Sequence, residues 1–199
     1  MRLIMEGGWV MGVLLGLSIT AFAIVIQKLI LLRETRIHPL FLDQVKTKLG
    51  SANSAKELLK DLRHATSTEH KIAIASIEHH QLSSDALAHH IGTLTKPKVE
   101  ELVGYMSVLS LIATTAPVFG LLGTVLGLMD VFSVLAIEGV QKAELLSGGI
   151  SKALITTVSG LSLAIPLMFI HQAISEKINK RLDQWDAIPA QILMVLTNK

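Results

Sequence analysis

Three long stretches of this chain carry almost no charge, and that constrains its fold more than any other feature. They cover residues 7–32, 102–135 and 153–174 of a 199-residue sequence. Each supplies at least the ~18–20 largely apolar residues that a bilayer-crossing helix needs. A backbone inside hydrocarbon must satisfy its own hydrogen bonds, so stretches of this kind become helices. Half of all residues are apolar, and the charged ones gather between and after the three blocks. The expected fold class is an all-α integral membrane protein: three transmembrane helices with long cytoplasmic helical extensions.

Composition narrows the function classes. The chain has no cysteine, which removes disulfides, thiolate metal sites and cysteine nucleophiles together. Aromatic residues are 4% of the chain, and no basic stripe is interleaved with base-stacking side chains, so nucleic-acid binding has no support. No cofactor motif is present. Ala21-Phe22-Ala23 has the small-x-small form of a signal-peptide cleavage site. The apolar run nevertheless continues through Ile24, Val25 and Ile26, and Glu6 nearly offsets Arg2, so the first block reads as a retained anchor.

The flanking cations set the orientation. Lys28, Arg33 and Arg36 follow the first block, Lys96 and Lys98 precede the second, and Lys177, Lys180 and Arg181 follow the third. By the positive-inside rule all three groups are cytoplasmic. The segments are then a periplasmic N-terminus with the first transmembrane helix (1–32), a cytoplasmic helical loop (33–98), and a second transmembrane helix with a cytoplasmic extension (99–136). A periplasmic turn (137–147), a third transmembrane helix (148–175) and a cytoplasmic C-terminal helix (176–199) complete the chain.

Within the loop, Ser54 and Glu57 have the spacing of a capping box before Leu58, Leu59 and Leu62, and a second amphipathic segment runs near 71–82. All the histidines except His171 lie here or at its edge, including the pairs His79-His80 and His89-His90. Neighbours on a helix diverge by about 100°, so each pair splits across faces and reads as solvated or packing rather than metal-binding. Pro97 is placed to open the second helix, with Glu100 and Glu101 near its N-terminal end. That helix is expected to run unbroken from Val99 to Ala136. Along the tail, Ile178, Leu182 and Trp185 share a face suited to neighbouring subunits, and Pro189 is expected to interrupt the helix.

The second block contains TTAPVFGLLGTVLG, residues 114–127, built from small, helix-averse residues. Gly123 and Gly127 stand four apart, and Gly120 widens the same groove one turn earlier, so another backbone can approach closely. Thr124 projects beside that groove, while Pro117 removes one backbone hydrogen bond. A weaker stripe, Gly8, Gly12 and Gly16, marks the first block. The third block holds Lys152, Thr156 and Ser159 in a polar line with Thr157 to one side, and Pro166 as a further bend. Polar groups at such depth face protein or water.

The wording T-A-P-x-x-G-L-x-G-T-V-x-G resembles the second membrane helix of the ExbB/TolQ/MotA family of ion-driven motor proteins, nearest to ExbB and TolQ. GGISKALITTVSGLSLAIP, residues 148–166, resembles the same family's third helix. The resemblance covers the C-terminal half, and the N-terminal half matches in layout. It implies a homo-oligomer, a pentamer, whose second and third helices line a channel around single-span ExbD- or TolR-like partner helices that carry an ion-binding aspartate. The proton or sodium motive force would then energise a TonB- or TolA-like periplasm-spanning protein. Such a subunit works in the bacterial inner membrane and is not an enzyme.

Carried over by position, Thr124 and Thr157 match the family's threonines and are the expected ion-pathway residues, with Thr156 and Ser159 as lesser candidates. Gly120, Gly123, Gly127, Pro117 and Pro166 are the expected packing residues. Where ExbB proteins often have a glutamate, this chain has Lys152, so a carboxylate relay there is unavailable. Lys152 either acts electrostatically on the partner's aspartate or snorkels to the outer interface. Two other readings stay open: a flagellar-type stator subunit, which usually has four spans, and a non-conducting three-span scaffold.

Overall fold

The computed structural model describes residues 8–34, 45, 67–138 and 143–197. The Ser54/Glu57 capping box and the polar turn at Gln141 and Lys142 lie outside these residues. Five helices are described: α1 (Gly8–Glu34), α2 (Thr68–Glu78), α3 (Ser84–Val103), α4 (Met106–Glu138) and α5 (Ala143–Thr197). Apolar stretches long enough to cross a membrane fall in three places, Gly8–Arg33, Ser84–Ala136 and Ser147–Thr197. The protein is therefore a multi-pass, all-helical membrane protein among its described residues. At 1.5 Å per residue, the 55 residues of α5 extend about 80 Å, more than twice the ~30 Å hydrocarbon core.

The chain divides into two compact units, one of residues 1–27 and 105–174, the other of residues 28–104 and 175–199. In the first, α1, α4 and α5 share a core in layers. Ala21, Ile24 and Val25 of α1 meet Leu109, Ile112 and Ala113 of α4 and Leu167 of α5. A second layer joins Val10, Met11 and Leu14 to Ala116 and Ala164. The outer faces are as apolar as the core. Ile19, Phe22 and Ile26 on α1, Leu121, Val125 and Met129 on α4, and Leu154, Val158, Leu161 and Ile165 on α5 are all exposed. These stripes repeat every three or four residues, as required of helices that face lipid or other helices. Trp9 and Tyr105, both exposed, lie at the starts of α1 and α4, where amphipathic rings mark membrane interfaces.

The expected unbroken helix from Val99 to Ala136 is not what forms. α3 ends at Val103 and α4 begins at Met106. Gly104 donates its amide to the Glu100 carbonyl at 2.8 Å, and Tyr105 takes φ 63°. A side chain on Gly104 would put its Cβ 2.8 Å from the Glu100 carbonyl oxygen, so only glycine tolerates the approach. The membrane-crossing part of the apolar stretch is thus α4 alone.

Two prolines also behave differently from expectation. Pro97 does not open a helix; it lies inside α3, whose buried stripe of Leu87, Ile91, Thr95 and Leu102 holds both sides of it. Pro189 does not interrupt the tail, because Trp185 and Ile188 before it and Ile192 after it are all buried and α5 continues to Thr197. Tertiary packing outweighs the hydrogen bond each proline omits.

In the second unit, polar groups with apolar surroundings are paired. Lys28 is not simply a flanking cation after the first span: it is 1% exposed and donates to the Glu101 and Leu102 carbonyls at 2.7 and 3.0 Å. These are last-turn carbonyls of α3, which have no partner within the helix. The Trp185 indole, expected to face neighbouring subunits, instead donates within the chain to Glu69 Oε1 at 3.1 Å. His79 and His90 meet edge to face, centroids 4.7 Å apart, and His80 Nδ1 is 2.9 Å from the Ile77 carbonyl. Burial holds the His70 imidazole below its usual pKa, against an opposing pull from Glu69.

Trp185→Phe keeps the apolar volume but leaves a buried Glu69 oxygen without its donor. The expected loss is about 1–3 kcal/mol, read by denaturant unfolding followed at 222 nm, and no loss would show that this bond carries no stability.

Candidate functional site: the seam between α4 and α5

The small-residue groove of α4 is filled, and the element that fills it is α5 of the same chain. A Cβ on Gly120 would come 3.1 Å from the Thr156 carbonyl oxygen and from Thr157 Cα, and 3.3 Å from Gly160 Cα. On Gly123 it would collide with the Thr156 side chain, 2.6 Å from its Cβ and 2.9 Å from its Cγ2. On Gly127 it would lie 2.8 Å from Ala153 Cβ. The complement on α5 is built the same way: Gly160 faces the Ala116 carbonyl at 2.6 Å from its hypothetical Cβ, and Gly149 faces Val131. Two stripes of small residues therefore interlock, Ala116, Gly120, Gly123 and Gly127 with Gly149, Ala153, Thr156 and Gly160. Helices in lipid gain little from hydrophobic exclusion, so close backbone approach and the dispersion contacts it permits hold such a pair together.

The backbone that approaches Gly120, Gly123 and Gly127 is thus α5 of the same chain. The first-helix stripe differs again: a Cβ on Gly12 or Gly16 would meet nothing within 4 Å. Pro117 and Pro166 both lie inside unbroken helices, beside Ala116 of the seam and near Ala164 of the apolar core.

At the centre of the seam three donors converge on one acceptor. Thr157 Oγ1 donates across it to the Gly120 carbonyl at 3.0 Å. Thr156, 1% exposed, donates to the Ala153 carbonyl at 2.7 Å and reaches the same Gly120 oxygen at 3.3 Å. In a continuous α-helix the Thr124 amide also takes Gly120 as its i−4 acceptor. Thr124 is half-buried, and its hydroxyl donates to the Leu121 carbonyl at 2.6 Å. All three hydroxyl protons are thus held by backbone oxygens, and each hydroxyl oxygen keeps lone pairs able to accept from an arriving donor.

Ser159 donates to its own helix, to the Ile155 carbonyl at 2.8 Å, and is not gathered into this cluster. Lys152 is half-buried, and its Cε and Nζ lie 3.9 Å from where a Gly8 Cβ would be, beside the first turn of α1. The four sequence-expected polar residues therefore divide: Thr156 and Thr157 meet Gly120, Thr124 lies one turn along α4 from it, and Ser159 stands apart. Sequence reasoning missed Gly160, Gly149 and Ala153. They stand seven and three residues before Thr156 and four after it, the helical spacing that could have found them.

Gly123→Ala is expected to cost about 1–3 kcal/mol by overpacking against Thr156. Gly12→Ala, with open space around it, should change stability by less than ~1 kcal/mol. Thermal unfolding in mild detergent distinguishes the two, and equal effects would contradict the seam.

Comparison with known proteins gives the family. Residues 60–187 match the MotA/TolQ/ExbB proton channel family, a region that holds the whole seam. The chain is 33% identical over 89 residues to the biopolymer transport protein ExbB of Aquifex aeolicus, covering 45% of this chain and 60% of that protein. It is 29% identical over 163 residues to the putative ExbB-like 3 protein of Synechocystis sp., covering 81% of this chain and 78% of that one. Identity to the Tol-Pal system protein TolQ of Haemophilus influenzae is 34% over 84 residues, 41% of this chain and 36% of that protein. The chain thus spans less than two thirds of the Aquifex and Haemophilus relatives. With the match over most of its length and the interlocked seam within the matched region, the chain belongs to the MotA/TolQ/ExbB proton channel family.

Proposed function

We propose that this chain is the multi-span subunit of an inner-membrane motor, with its α4 and α5 helices lining the path of a proton or sodium ion. One observation carries the reading: threonine hydroxyls are fixed at the centre of the seam, while the first acid of α4, Asp130, stands ten residues beyond Gly120, about 15 Å along the helix. Residues 8–33, 106–129 and 147–175 include no aspartate or glutamate. A proton-carrying carboxylate at that depth would have to come from another chain, which fits an ExbD- or TolR-like single-span partner. Family membership and the relatives named ExbB and TolQ support the same assignment.

Three helices enclose no pore of their own, so the path forms where copies meet. The exposed apolar stripes of α1, α4 and α5 provide the surfaces for a homo-oligomer, which we take to be a pentamer around the partner helices. Ion flow would be passed to a TonB- or TolA-like protein. In this scheme Thr124 and Thr157 accept hydrogen bonds transiently from the partner's protonated carboxyl or coordinate a dehydrated cation. Lys152, beside the start of α1, is a fixed cation and does not carry the ion.

The cations at Arg33, Lys98 and Lys177 support a cytoplasmic second unit and a periplasmic α4–α5 connection. In this cysteine-free chain, Lys142→Cys should react with an impermeant thiol reagent in intact cells while Ser84→Cys should not. The reverse pattern would overturn the orientation.

The ion path has its own test. Moving one charge through the membrane yields about 2.3 kcal/mol per 100 mV, so loss of one hydroxyl's net ~1 kcal/mol hinders the cycle. Thr157→Val leaves the Gly120 carbonyl with its helical amide, so assembly should survive. In liposomes holding the complex purified with its partner, Thr124→Val and Thr157→Val should reduce ion flux at least ~5-fold at unchanged complex mass, and Lys152→Gln should retain part of it. Full flux in both valine variants would refute the role of the hydroxyls.

A further inference from the structure

At the end of α3, two carbonyls have a choice of donors. In an unbroken helix Glu101 and Leu102 would accept from the amides of Tyr105 and Met106, four residues on. Here the Lys28 ammonium takes both carbonyls instead, at 2.7 and 3.0 Å, and is 1% exposed. Lys28, Glu101 and Leu102 all belong to the unit of residues 28–104 and 175–199. The Tyr105 amide has no acceptor among the described residues. On either side the helical pattern holds: Gly104 donates to the Glu100 carbonyl at 2.8 Å, and Leu109 to the Tyr105 carbonyl at 3.0 Å.

The broken joint and a continuous one differ by a single peptide plane. Gly104 has φ −51° and ψ 142°, and Tyr105 has φ 63°. These are the angles of a type II turn, whose third residue calls for glycine. Tyrosine stands in that place and is strained there. A helical joint needs ψ of about −42° at Gly104 and φ of about −63° at Tyr105. Turning the peptide between the two residues supplies both, and the φ of Gly104 is already close to helical. The same turn relieves Tyr105 and aims its amide back at Glu101. The local sequence favours that outcome, since its apolar pattern runs through the joint without a break.

We infer that the joint is a two-state switch, held broken by Lys28 and closing into one continuous helix when the ammonium withdraws. Bonds from a charged donor are stronger than those from a backbone amide, which is how the ammonium outweighs the strain at Tyr105. Lys28 is carried by α1 and its acceptors by α3, so a shift between those two helix ends is read at the joint. Withdrawal leaves no carbonyl unpaired, because the amides of the continuous helix replace the ammonium.

Hydrogen exchange resolved to single amides, on the full-length protein in mild detergent, reads the switch at Tyr105. That amide is unbonded in the broken joint and bonded in the continuous one. Lys28→Met should slow its exchange at least ~5-fold, since bonds to a charged group carry that much or more. Gly104→Ala should slow it about fivefold, the preference of a helix for alanine over glycine. A Cβ at 104 also lies 2.8 Å from the Glu100 carbonyl oxygen in the broken joint, which disfavours that state further. Tyr105→Gly removes the strain of the broken joint and should not slow exchange at 105. The Gly104 and Leu109 amides, bonded in both arrangements, are the internal reference and stay protected. Unchanged or faster exchange at 105 in Gly104→Ala, or in a folded Lys28→Met, would overturn the switch, as would slowing in Tyr105→Gly. Gly104→Ala keeps Lys28 in place, so it decides the question if Lys28→Met fails to fold.

Discussion

The close approach of α4 to α5 is the contact on which the membrane-embedded half of this protein depends. Glycines 120, 123, 127, 149 and 160 lie where a Cβ would meet neighbouring atoms at 3.3 Å or less. Lipid offers no hydrophobic advantage to helix pairing, so the free energy must come from contacts made at short range. Small residues permit that range, and they also bring backbone carbonyls of one helix within reach of hydroxyls on the other. Packing and polarity are therefore one feature here. The glycine at 120 that lets α5 approach also supplies the carbonyl on which Thr156 and Thr157 converge.

That coupling explains how a membrane protein can keep polar groups at depth without charge. Each threonine proton is satisfied by a backbone oxygen, which removes the cost of an unpaired donor in hydrocarbon. The oxygens' remaining lone pairs then form an acceptor surface, positioned by two helices in close backbone contact. In the unit of residues 28–104 and 175–199, satisfaction is achieved differently. Lys28 caps the end of α3, and the Trp185 indole holds the Glu69 carboxylate. Neither pair depends on threonines or glycines.

The glycine groove of α4 was legible because spacing alone puts residues 120, 123 and 127 on one side of a helix. What filled it was not, since periodicity says which face is small but not which chain lies against it. The same limit concealed the role of Trp185, whose apolar face was visible and whose partner, Glu69, is 116 residues away. The division of the second apolar block was hidden for another reason. Hydropathy continues across Leu102, Val103 and Met106, and the break depends on a single Gly104 amide and the backbone of Tyr105. Proline's local preference marks a helix start at Pro97 and a break at Pro189, but buried residues on both sides carry the helix through each. Lys28 was read by its charge, while its structural role comes from unpaired carbonyls supplied by α3.

The interlocked seam can be tested by one cross-link. With Gly127→Cys and Ala153→Cys in a chain that has no other cysteine, the native contact puts the two Cβ atoms 2.8 Å apart. A disulfide prefers at least ~3.5 Å, an adjustment of about 0.7 Å. Mild oxidation in native membranes should join the pair within a single chain, seen as a faster-migrating monomer that reducing agent reverses. Cross-linking only between chains, or none at all, would show that α4 and α5 of one subunit do not pack through these glycines.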